Sequence, residues 1–257
     1  MKSYMFKTGL LMAVLSIVFV SCKKDTPEPI DDTPSSGTVK LKFDHKWGMN
    51  WDAFAMNTEY THPATGEAIT FTTLKYYITN VKLKKADGTW WEQPESYHLV
   101  VAEGSTVPYV ELPNVPVGSY TDIEYMIGVD STRNVSGAQT GALSTSNGMF
   151  WSWTTGYIFV KAEGTSPVSP TNEFSYHIGG FKEENNTNAT RINTQSFGGT
   201  LSVTGSNHPS VHFYINVARF WHGGISLADM NTVHMPGANA RTLADNFKDA
   251  IIVHHIH

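Results

Sequence analysis

Residues Gly148-Met149-Phe150-Trp151-Ser152-Trp153-Thr154-Thr155-Gly156-Tyr157 place one thioether and two indoles at alternate positions. In an extended stretch Met149, Trp151 and Trp153 project to one side, because side chains along a strand alternate with period two. A second segment, Phe174-Ser175-Tyr176-His177-Ile178-Gly179-Gly180, would turn Phe174 and Tyr176 to one face and His177 to the other. Imidazole and thioether are ligands that suit copper, and thioether favours Cu(I). Both segments also have plainer uses, since a Trp-rich strand can be core and a strand histidine can accept a structural hydrogen bond. Other chemistry finds little footing. No G-x-S-x-G, P-loop or H-E-x-x-H pattern occurs, and no pair of carboxylates stands out as acid and base. No enzymatic activity is expected.

The N-terminus carries an address. Lys2 and Lys7 precede an almost unbroken apolar run, Gly9 to Val20, that is shorter than the ~20 residues a spanning helix needs. This is the pattern of a secretory signal over residues 1–21. The run ends Phe19-Val20-Ser21-Cys22, which resembles a bacterial lipobox, with Phe19 where Leu is usual and Cys22 as the lipidated residue. Cys22 is the only cysteine, so no intrachain disulfide can form. Residues 22–37 are rich in Pro, Asp, Ser and Thr and read as a disordered tether. The chain is thus expected in the cell envelope, anchored by lipid to the outer membrane on either its periplasmic or its surface side.

Residues 38–257 remain for a single domain, whose pattern is mostly strands. Val39, Leu41 and Phe43 alternate with polar residues, as do Val211, Phe213, Ile215 and Val217. Ile69–Lys85, Tyr120–Val129, Tyr157–Ala162, Phe174–Ile178 and Thr200–Thr204 read as further strands separated by Gly and Pro turns. The expected fold is an antiparallel β-sandwich or barrel-like domain. Ala240, Leu243, Ala244, Phe247 and Ile251 recur at helical spacing and predict a short C-terminal helix. A net charge of −5 and few clustered cations argue against nucleic acid as a partner.

These segments together are similar to the MbnP-like family of copper-binding periplasmic proteins and lipoproteins. Gly-Met-Phe-Trp-Ser-Trp, then Gly-Tyr and His-Ile-Gly, carry the resemblance, along with Leu74-Lys75-Tyr76-Tyr77-Ile78-Thr79-Asn80-Val81-Lys82-Leu83 and Ile127-Gly128-Val129-Asp130 with Asn134. The resemblance runs from about Val39 to the C-terminus. It implies a β-rich domain that binds copper outside the cytoplasm, with Met149, Trp151, Trp153 and His177 at the matching positions. It also implies a partner for some members, a di-haem enzyme of the cytochrome c peroxidase type that oxidises a tryptophan near the copper to kynurenine. A histidine that some relatives carry after the asparagine is replaced here by Val135. A further ligand must come from elsewhere, and His45, beside Trp47 and Met49, is nominated first. His222 and His234 fall in loop-like sequence, and His212 should face away from Val211 and Phe213. His254, His255 and His257 end the chain, where fraying is expected. The alternative function is a surface carbohydrate-binding lipoprotein module, with Trp90 and Trp91 as the stacking platform.

Overall fold

The computed structural model describes residues 35–137, 139–152 and 155–257, apart from the side chain of Asn185. The signal segment, Cys22, nearly all of the tether and Trp153 lie outside the described residues. No helix among the described residues is long and apolar enough to cross a membrane.

Two sheets face each other across one core. The smaller is organised around Ser36–Trp47, where Val39, Leu41, Phe43, His45 and Trp47 are buried and the residues between them less so. This strand pairs antiparallel with Tyr109–Pro116 and parallel with Ser210–Asn216, which pairs in turn with Ile251–Ile256. The larger sheet runs Arg191–Val203, Gly118–Ile127, Ala68–Lys85, Gly156–Thr165, Glu173–Gly179, Thr232–Val233, and shorter strands pair along Ala68–Lys85. Neither sheet closes into a barrel, so of the two architectures the sequence allows the chain takes the sandwich. Two pairings are nonetheless parallel, Ser36–Trp47 with Ser210–Asn216 and Glu173–Gly179 with Thr232–Val233. Each joins segments far apart in sequence, where no hairpin turn dictates direction.

Aromatic rings knit the sheets together. Phe43 stacks on Phe213 at 5.2 Å within the smaller sheet, and these rings meet Tyr76 and Tyr125 of the larger sheet edge-on, at 6.1 and 5.7 Å. Such edge-to-face contacts suit the quadrupoles of the rings. Each fully buried Phe, Leu or Ile contributes about 1.5–3 kcal/mol relative to an exposed one.

The expected helix spans Ala238–Ala250 and buries Ala240, Leu243, Ala244, Phe247 and Ala250. Phe247 stacks on Phe220 at 4.9 Å and meets Tyr76 at 5.1 Å. Ile251, read from the sequence as the end of this stripe, instead opens a strand. The terminal residues do not fray: Ile251–Ile256 is paired, and His257 exchanges two backbone hydrogen bonds with Ser210. Ladder bonds outweigh the usual looseness of a terminus here.

Candidate metal centre

His177 leaves the outer face of Glu173–Gly179, whose Phe174, Tyr176 and Ile178 are buried in the core. On the neighbouring strand Glu163 lies diagonal to it, with Oε1 2.7 Å from His177 Nε2. Lys161, directly opposite His177, reaches the same carboxylate at 3.3 Å. Burial acts to raise the Glu163 carboxyl. The His177 hydrogen bond, the Lys161 charge and the Thr73 hydroxyl nevertheless hold it below the usual range. An ionised carboxylate only accepts, so the proton of neutral His177 sits on Nε2 and the lone pair on Nδ1. Burial is also the main reason that His177 stays below the ordinary imidazole value, despite the pull of Glu163.

His234 joins this face across a contact that is distant in sequence. It follows the two-residue strand Thr232–Val233, which lies parallel on Glu173–Gly179. Its ring stacks on His177 at 4.3 Å and 21°. Ser175 Oγ stands 2.8 Å from His234 Nε2 and 3.3 Å from His177 Nε2. Two imidazoles, a hydroxyl and a carboxylate therefore share one patch, and Met235 beside them is 72% exposed.

Trp151, half-buried on Phe150–Ser152, reaches the same strand. Gly179 lies two residues beyond His177 on the same face, and a Cβ there would stand 2.8 Å from Trp151 Cζ3 and 2.7 Å from the Tyr157 carbonyl oxygen. The indole rests on bare backbone, which gives His-Ile-Gly its physical reason. Asn134 fixes the neighbouring loop. It is buried, donates to the carbonyls of Val129 at 2.6 Å and Asp130 at 3.0 Å, and accepts from the Tyr157 N–H at 2.8 Å. Gly156 has a φ of +75°, and any Cβ there would overlap Asn134 Oδ1. The asparagine motif thus anchors the far end of the Trp-rich segment.

The nominated residues separate. Trp151 reaches Gly179 on the strand that carries His177, while His45 lies on the core face of the other sheet. His45 points inward, is 6% exposed, and has its Nε2 3.1 Å from the Tyr76 hydroxyl. Burial lowers its pKa to about 3, so it is a neutral core imidazole on the inner side of the sandwich. Its placement follows from strand alternation, which puts residue 45 on the same face as Val39, Leu41 and Phe43. Met149 is fully buried in the core, and Trp153 lies outside the described residues. Glu163 escapes notice in the sequence, and His234 stays open there as either a ligand or a loop residue, because their position depends on cross-strand register. The only local hint was an imidazole just before Met235-Pro236. The glycan platform reduces to one ring, since Trp91 packs against the core while Trp90 is 38% exposed beneath the Lys84 ammonium.

A family model described as MbnP matches residues 36–236. Among solved structures, MbnP from Methylosinus trichosporium is similar with a TM-score of 0.51 and 13% identity, over 79% of this chain and 83% of that one. At that identity the likeness is one of fold. No curated protein matches in sequence.

Proposed function

The chain belongs to the MbnP family, and on that premise we propose that it is a non-enzymatic copper-binding protein whose site is the face carrying His177 and His234. The observation that carries this reading is the pair of stacked imidazoles, one oriented by Glu163, beside the indole of Trp151. The donor set fits the metal: neutral imidazoles suit copper, and a carboxylate that orients a ligating histidine raises its basicity. Copper held there would supply a redox-active, soft Lewis-acidic ion. His177 and His234 would hold it, and Met235 offers a thioether.

Trp151 is the described indole proposed for oxidation to kynurenine: a di-haem enzyme of the cytochrome c peroxidase type, using peroxide that is reduced to water, would cleave the indole C2–C3 bond and add two oxygens to give N-formylkynurenine, and hydrolysis would release the C2 carbon as formate. The amine and ketone so formed would add donors next to the imidazoles. Export and lipidation at Cys22 complete the proposal and put the domain in the cell envelope, at the outer membrane.

The test is Cu(I) competition titration against a chromophoric chelator, on untagged protein carrying His255→Ala and His257→Ala to remove the terminal imidazoles. One tightly held copper is expected, lost in His177→Ala/His234→Ala and retained in His45→Leu. Copper retained without His177 and His234 would overturn the assignment. Intact mass of protein from its native source, showing Trp151 unmodified, would overturn the kynurenine step alone.

A further inference from the structure

We propose that His212, His255 and His257 form a second metal site, on the outer face of the smaller sheet, for a borderline divalent cation such as Zn2+ or Cu2+. The ligand nitrogens of the three lie within 4.8 Å of one another. His212 and His255 are cross-strand partners stacked at 4.3 Å and 22°. His257 closes the triangle, its ring 5.0 Å from His212 and 4.7 Å from His255.

Two features distinguish this group from loose terminal histidines. Its backbone is pinned, by strand pairing at His212 and His255 and by two hydrogen bonds between His257 and Ser210. The His212 ring is restrained, with the Ser210 hydroxyl 3.1 Å from Nε2. Strand-borne ligands of this kind give the preorganisation that a metal site needs.

Three imidazoles with one position left to solvent are a donor set that zinc takes in open sites, and one that Cu2+ binds more tightly still. Such an ion would bridge Ser210–Asn216 and Ile251–Ile256, clamping the last strand to the sheet. The group is separate from the His177 face, which belongs to the other sheet. Two of its members also lie beyond residues 36–236, the stretch that the family model matches.

The experiment titrates Zn2+ and, separately, Cu2+ into untagged protein carrying His177→Ala and His234→Ala, by calorimetry. One ion per chain is expected. Adding His255→Ala or His257→Ala should weaken binding by more than the roughly 10–100-fold that loss of a supporting contact costs. The ion should raise the melting temperature of the parent and not of these variants, whose own metal-free melts establish that they fold. Binding of either ion with this dependence on His255 and His257 supports the site, Cu2+ being the tighter of the two as imidazole donors dictate. Failure of both ions to bind, or equal binding after His255 and His257 are removed, would overturn the proposal.

Discussion

The buried imidazole of His45 makes a quantitative prediction about acid stability. In the unfolded chain it takes up a proton as pH falls through 6.5, whereas in the folded core it stays neutral down to about 3. Stability is therefore lost as pH falls through that window, at about 1.4 kcal/mol per pH unit for this one group. Between pH 7 and pH 4.5 the loss attributable to His45 is about 2.5 kcal/mol. The perturbation is His45→Leu combined with Tyr76→Phe, which removes both ends of the 3.1 Å hydrogen bond and leaves neither buried partner orphaned. Urea unfolding of parent and variant at a series of pH values gives the readout. Other histidines with lowered values, His98 at about 4 and also His62, His177, His212 and His255, contribute equally to both proteins and cancel in the difference. Between pH 7 and pH 4.5 the difference between the two stability curves should shift by about 2.5 kcal/mol in favour of the variant. Parallel curves would refute the reasoning, because they would mean that His45 titrates alike in both states.

Other positions test the framework around the His177 face. Asn134→Ala removes the side-chain partner of the Tyr157 N–H and of the Val129 carbonyl and should cost about 1–3 kcal/mol in urea unfolding, a buried unsatisfied group being the cause. Gly179→Ala drives a methyl into Trp151 and the Tyr157 carbonyl. Overpacking of about 1–3 kcal/mol should lower the melting temperature by roughly 2–12 °C and shift tryptophan emission. Trp90→Ala removes the one exposed ring of the Trp90-Trp91 pair, and stability should change by less than about 0.5 kcal/mol, with Cu(I) affinity unaltered. Glycan-array binding lost in that variant would instead revive the carbohydrate reading.

Sequence pattern was most informative where alternation alone decides the outcome. The strand at Val39-Leu41-Phe43, the strand at Val211-Phe213-Ile215 and the outward direction of His177 all follow from period two, and all appear in the structure. The same rule, carried two residues further, would have put His45 on the core face with Phe43, away from any copper. Register between strands has no local signal, and the face carrying His177 and His234 depends on it. Glu163 meets His177 only through pairing across a hairpin, and His234 only through a two-residue parallel contact made 57 positions later. The C-terminal strand was hidden differently, since Ile251 continues the helical spacing of Phe247 while its backbone has already turned extended.

The parallel pairing of Ser36–Trp47 with Ser210–Asn216 has a consequence for the order in which the molecule is built. Lys40 pairs with Ser210 and Lys46 with Asn216, so the organising strand of the smaller sheet is synthesised early and its neighbour some 170 residues later. Closing so long a loop carries an entropic cost before any contact rewards it, and topologies of this kind fold slowly. Until the late strand arrives, Val39, Leu41 and Phe43 have an unpaired backbone edge beside them, a template for wrong partners. The alternating lysines at 40, 42 and 46 on the opposite face are the charged residues that discourage such pairing during the wait. The nascent chain is therefore most vulnerable to proteases and aggregation before residues 210–216 emerge, and a holdase bound to that first strand would shelter the state that needs it longest.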